Sequence, residues 1–145
     1  MARASERGLT AAWTRAGRGE RVGRNLGERS TFSTHAAAVD IINRAHHRRE
    51  PNELLDLLAD DAEYVRYDMN NLGSPSTTSG KDEIAVMIED VFTRDMTHEV
   101  REVVVGEGRI SYMVLCEYPD GKRVVGSYVC DLDDAGQITR IVEHV

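Results

Sequence analysis

The sequence has no apolar run approaching the ~18 residues that a membrane-spanning helix needs, and its start lacks the continuous apolar segment of a secretory signal. Those two absences make a soluble, cytoplasmic protein with no membrane partner the expectation. A net positive charge is missing as well. The formal charge is −7, and an acidic domain repels phosphate backbones, so nucleic acid is not an expected partner. The start is the exception: residues 1–30 hold seven arginines against three glutamates, with five glycines and no hydrophobic periodicity. Such a stretch cannot bury enough surface to offset its chain entropy, so a disordered basic extension is expected over 1–30. Interspersed Glu and scarce Ser argue against a transit peptide there.

Metal-ligand patterns are also lacking. His46 and His47 are adjacent, and neighbouring helical residues point about 100° apart, which prevents them from sharing one ion. They read as solvated histidines at a helix end. The run Asp131-Leu132-Asp133-Asp134-Ala135-Gly136 fails as a calcium loop at Ala135 and again at Val142, where a glutamate would be needed. Gly106-Glu107-Gly108 is too slight for a phosphate loop. No metal and no cofactor are expected.

The elements that remain form a simple order. Ala38, Ile41, Ile42 and Ala45 make the apolar face of a helix over Thr34–Arg48, with His46–Arg49 placing positive charge at its C-terminal end. Pro51 opens a second helix reaching Leu58. Tyr64, Val65 and Tyr67 read as a short strand, and the polar residues 68–80 as a long loop, with Ser79 as N-cap of a third helix over Lys81–Met96. Strands follow at His98–Val105, Arg109–Tyr118, Lys122–Leu132 and Ile138–Val145, joined by Gly- and Asp-rich turns. Three helices followed by an antiparallel meander give an α+β plan with helices over one face of a curved sheet.

Turn geometry fixes the register of the hairpin around Tyr118-Pro119-Asp120-Gly121-Lys122. Cys116 should face Val124 and Cys130 should face Ile110, which puts the two sulfurs roughly 20 Å apart at strand rise, beyond disulfide reach. Two free thiols are expected. Parity places Tyr112, Val114, Cys116 and Tyr118 on one face with Val124, Gly126, Tyr128 and Cys130; Ser111, Met113, Leu115, Val125, Ser127 and Val129 take the other. Both faces carry apolar residues, so the second needs a cover, and another copy of the chain in an isologous homodimer supplies it.

The helix ending in Leu57-Leu58-Ala59-Asp60-Asp61-Ala62, the strand Glu63-Tyr64-Val65-Arg66-Tyr67, the Gly80-Lys81-Asp82-Glu83-Ile84 helix start and the terminal hairpins with Asp120-Gly121 and Ala135–Arg140 together resemble the nuclear transport factor 2-like superfamily, in particular its small SnoaL-like domains. The resemblance covers residues 34–145. It implies a cone-shaped, curved antiparallel sheet wrapped around the N-terminal helices, a cystatin-like roll with a cavity open at one end. It does not carry over the family's ketosteroid isomerase chemistry: the general-base aspartate falls on Arg66, the oxyanion tyrosine on Ile42 and the protonated aspartate on Tyr128. A guanidinium cannot abstract a carbon-bound proton.

The residues left facing the implied cavity are the candidate site. His98 can act as acid or base near neutral pH, and Tyr128 can donate to a developing oxyanion; these are the catalytic candidates. Tyr64, Arg66, Tyr112, Val114 and Cys116 are the ligand-binding candidates. Arg66 is expected either to pair with Asp68 or Glu102 or to receive an anionic ligand. Three functions stay open: a cofactor-independent cyclase, isomerase or dehydratase acting on a small carbonyl compound; a non-catalytic module for a small apolar or anionic ligand; and a dimerisation module whose cavity is filled by side chains.

Overall fold

The computed structural model describes residues 26–145, with side chains from residue 35 onward; the extension expected at the start lies outside the described residues up to position 25. Three helices, α1 (Leu26–Arg48), α2 (Asn52–Asp56) and α3 (Lys81–Thr93), accompany six strands, β1 (Leu58–Tyr67), β2 (Ser76–Ser79), β3 (Thr97–Gly106), β4 (Arg109–Glu117), β5 (Arg123–Leu132) and β6 (Ile138–His144). The strands form one sheet in the order β2-β1-β6-β5-β4-β3. α1 packs on β3 and α3 on β1, so among the described residues the helices cover one face and leave the other without a cover. This is the expected α+β roll.

Within the meander the expected hairpin register holds at every pair. Cys116 faces Val124, Tyr112 faces Tyr128 and Ile110 faces Cys130, and both cysteines are free. The turn is closed by the Gly121 amide donating to the Tyr118 carbonyl at 2.9 Å. Gly121 has φ +85°, a left-handed conformation that costs an L side chain strain but glycine none.

The first half of the chain departs from expectation in four places. α2 is a single short turn, and Leu58 through Tyr67 is a strand rather than a helix end followed by a four-residue strand. Leu58 pairs with Ile138 and is fully buried, so tertiary pairing overrides the helical spacing of the leucines. Second, residues 76–79 form β2, pairing Ser79 with Glu63. That removes Ser79 from capping duty. The N-cap of α3 is Gly80, which makes no side-chain cap bond. Third, β1 runs parallel to β6, so the sheet is mixed, not wholly antiparallel. Fourth, α1 begins at Leu26, eight residues ahead of Thr34, and α3 ends at Thr93, three before Met96.

The core lies between the helices and the concave face. Ile42 from α1, Ile84 from α3, Leu58, Ile110 and Ile138 from the strands are all essentially inaccessible. A bulge in β3 between Arg101 and Val104, with Glu102 at φ +54°, breaks the ladder and bends the strand, as bulges do at sheet edges.

Candidate functional site

The sheet and helices do not fill the space between them. They leave a partly enclosed cavity of about 140 Å³ whose walls are mainly apolar, with Leu54, Met87, Ile88, Phe92, Val124 and Ile141 among them. His98, Tyr128, Tyr64, Arg66, Tyr112, Val114 and Cys116 all line this one cavity. The concave parity of β4 and β5 and the inward alternation of β1 deliver them. Val114 is 1% exposed and serves as wall. Cys116 is half-buried, and burial followed by the Glu143 charge raises its thiol above the ordinary value. His98 stands directly opposite it in the β3–β4 register.

Two residues outside the candidate set join them. The first is His46. It is not a solvated helix-end residue but is 6% exposed, because the stripe Ala38, Ile42, Ala45 turns inward again one residue later. The helix ends in a tight C-terminal motif just beyond it: Glu50 N–H donates to the Ala45 carbonyl at 3.0 Å, with Arg49 left-handed at φ +57°. The His46 ring then lies 5.1 Å from Phe92 and 5.3 Å from His98, centroid to centroid. The two imidazoles meet Nδ1 to Nδ1 at 3.0 Å. Burial, then the neighbouring His98, lowers His46 to about 3; burial, then the Arg49 charge, lowers His98. Both rings are neutral at physiological pH, so one Nδ1–H donates to the lone pair of the other. The outer nitrogen of His98, Nε2, is buried and has no partner.

The second is Glu143 on β6, 8% exposed. Strand register sets Tyr112, Tyr128, Glu143 and Arg66 side by side across β4, β5, β6 and β1. Tyr128 donates its hydroxyl to Glu143 Oε1 at 3.0 Å. Arg66 Nε faces Glu143 Oε2 at 3.7 Å, close enough for charge pairing and too far for a hydrogen bond. That atom is therefore buried without an acceptor. The partner of Arg66 is thus neither Asp68 nor Glu102 but a carboxylate on a strand that ordinary loop distances could not reveal. The signal was present, since Glu143 has the inward parity of Ile141 and Val145. An acid at an otherwise apolar parity is the mark of a site.

Phenols complete the lining. The Tyr112 and Tyr128 rings stack at 5.2 Å with 14° between planes. Burial, followed by Glu143 for Tyr128, by Tyr128 for Tyr64 and by Cys130 for Tyr112, pushes all three hydroxyls up and keeps them protonated. Gly126 makes room for this arrangement. A Cβ there would stand 2.9 Å from the Tyr128 ring edge and 2.9 Å from its hydroxyl, so Tyr128 lies flat over a strand position that only glycine allows. Among the described residues, no group of three or more His, Cys, Asp or Glu is placed to hold a metal ion.

A half-cone sheet closed by α1 and α3 around such a cavity has many solved counterparts. A protein of unknown function from Mesorhizobium loti, described as NTF2-like, superposes with a TM-score of 0.67 at 17% identity, over 78% of this chain and 91% of its own. The chain has the nuclear transport factor 2-like fold. An Agrobacterium tumefaciens protein described as a candidate isomerase of the SnoaL-like family matches this fold at a TM-score of 0.57 and 19% identity, over 77% of this chain and 97% of its own. A Mycobacterium tuberculosis protein solved in complex with estradiol-17β-hemisuccinate matches at a TM-score of 0.56 and 17% identity, over 79% of this chain and 92% of its own. No protein-family model matches the chain, and no curated protein is significantly similar to it. Among the described residues no helix is long and apolar enough to cross a membrane.

Proposed function

We propose that the protein is a cofactor-independent enzyme of the cyclase, isomerase or dehydratase kind, acting by proton transfer on a small carbonyl compound. The observation that carries this is the Nε2 atom of His98, buried at the cavity wall with no hydrogen-bond partner. Native proteins rarely bury a polar atom unpaired, and those that do usually reserve it for a ligand or a reaction. A neutral imidazole whose Nδ1 is held by His46 is a competent base when His98 supplies the Nδ1–H, because Nε2 then carries the lone pair. Removing a proton at the far end of a ring conjugated with a carbonyl develops charge on the carbonyl oxygen at the opposite pole of the cavity. The Nε–H of Arg66 has no acceptor of its own and supplies a charged donor. Tyr128 adds a second donor when its hydroxyl turns from Glu143 to the ligand oxygen.

The reading is tested by incubating the full-length protein with small cyclic ketones and enones in deuterium oxide and following carbon-bound protons by NMR. Exchange or turnover is expected, falling about a hundredfold in His98→Ala, the usual weight of a general base. No exchange with any compound, or exchange unchanged in His98→Ala, overturns it. Ligand binding without exchange would support the non-catalytic alternative.

The same reading includes a second copy of the chain on the uncovered sheet face. Met113, Leu115, Val125 and Val129 form its apolar centre, and Val125 is 46% exposed. Ion pairs Glu99–Arg101, Glu117–Arg123 and Arg109–Asp131 flank it at 2.7 to 2.9 Å, an apolar centre with a polar rim that fits an interface between copies.

A further inference from the structure

Sequence leaves the ligand's polarity open between apolar and anionic, and the cavity supplies three constraints on it. Its volume of about 140 Å³ is close to that of an apolar cavity that accepts benzene, ~150 Å³, so the occupant has the bulk of one ring. Its charges are already balanced: Arg66 faces Glu143, Arg94 at the rim is paired with Asp90 at 3.0 Å, and the two histidines are neutral. A ligand carboxylate brought to Arg66 would also meet the Glu143 carboxylate, a like-charge contact in a partly desolvated site.

The third constraint is where the unpaired polar atoms sit. His98 aligns with Cys116 on β4, and the Tyr128, Glu143, Arg66 row aligns with Tyr112, four residues away along the same strand, or about 13 Å at strand rise. Between them lie Val114 and Gly126, which offer no polar side chain. Each pole holds one buried nitrogen without a partner, Nε2 of His98 and Nε of Arg66. Arg66 Nε is a donor only, whereas His98 Nε2 is a donor or an acceptor according to which histidine holds the shared Nδ1 proton. The cavity walls also carry the Phe92, His46, Tyr112 and Tyr128 rings, a surface suited to a flat ring.

We infer that the cavity selects an uncharged single-ring compound with oxygen at both ends, one an acceptor for Arg66 and the other a hydroxyl or carbonyl for His98, and that it rejects the corresponding acid. This deepens the ligand-site reading above and rests on its cavity, but it does not require turnover. Such a ligand satisfies both orphaned nitrogens at once and leaves the Glu143–Arg66 pair intact.

The experiment is a calorimetric titration of the full-length protein, at mildly acidic pH, with para-hydroxyacetophenone, acetophenone, phenol and para-hydroxybenzoate. The two-ended neutral compound is expected to bind about tenfold tighter than either one-ended compound, the net worth of one hydrogen bond, and the acid at least as much weaker again. His98→Phe is expected to bring para-hydroxyacetophenone down to the level of acetophenone. Arg66→Met, at a partly exposed position, removes the other pole independently and lowers it to the level of phenol. The inference is overturned if the acid binds as tightly as the ketone, if one-ended compounds match it, or if none of the four binds. Preferential binding without any proton exchange overturns the enzymatic reading and leaves this one standing. Exchange on acidic and neutral substrates alike does the reverse.

Discussion

The Nδ1 atoms of His46 and His98 lie 3.0 Å apart, tying the last turn of α1 to the start of β3 across 52 residues of sequence. Neither ring gains a charged partner from the contact; each gains a neutral one, and that fixes how the fold responds to acid.

Burial, and then the neighbouring His98, hold His46 in the folded protein down to about 3, against an ordinary 6.5. Between those values the unfolded chain binds a proton that the folded chain refuses, so stability is full above the unfolded value and is lost as pH falls toward the folded one. His98, also lowered, adds in the same direction. The expected slope from His46 approaches about 1.4 kcal/mol per pH unit. Urea titrations at neutral pH and near pH 5 check it, and His46→Leu is expected to lose less stability across that step than the wild type does. An equal loss in both proteins would remove His46 as the cause.

Glu143 holds Tyr128 by a hydrogen bond and Arg66 by charge. Glu143→Leu leaves a buried phenol unpartnered and an arginine uncompensated, which costs about 1–3 kcal/mol for the phenol; the guanidinium adds little because its side chain is 42% exposed. Glu143→Gln keeps an acceptor for the hydroxyl and is expected to be the milder change. Denaturant midpoints of the two variants against wild type decide the order.

Gly126→Ala drives a methyl group into the Tyr128 ring. Overpacking of this kind typically costs about 1–3 kcal/mol, and here the ring cannot retreat without leaving Tyr112 and Glu143. Loss of stability accompanied by a change in tyrosine ultraviolet absorption or near-ultraviolet circular dichroism is the expected signature. An unchanged Tyr128 environment would count against the flat placement of its ring.

The thiols should be quiet. Cys130 is fully buried, and burial, followed by an opposing hydrogen-bond effect from Tyr112, leaves it pushed up to about 12. Cys116 is also raised. A thiol reagent under native conditions is expected to miss Cys130 and label Cys116 slowly, with both labelled after denaturation.

Size-exclusion chromatography with light scattering at micromolar concentration is expected to show a dimer, and Leu115→Glu a monomer. A monomeric wild type would leave the outer face without its proposed cover.

Much of the fold was legible because the second half of the chain is local. Hairpin register follows from the turn at Gly121, and parity then places Tyr112, Val114, Cys116 and Tyr128 on the cavity side. The first half was less legible because its structure depends on distant partners. Leu58 is in a strand because Ile138 pairs with it, and nothing near Leu58 announces that. His46 was hidden by its own neighbours: the basic run His46-His47-Arg48-Arg49 marks a helix end so clearly that the inward position of its first member is masked. Glu143 could have been found by strand parity alone, but its role needed Arg66, which lies 77 positions earlier and meets it only through the parallel β1–β6 pair.

That parallel pair also dictates when the protein can fold. β6 comes last in the chain but sits at the middle of the sheet, with β1 on one side and β5 on the other. Without residues 138–144 the β1–β2 hairpin and the β3–β5 meander share no strand pairing, although α1 packs on β3, and each has an open edge where β6 belongs. Arrival of one seven-residue strand closes both edges and brings the Glu143 carboxylate to its place in the same step. Completion of the sheet and assembly of the cavity's polar row therefore coincide, and both depend on the most non-local strand pairing among the described residues.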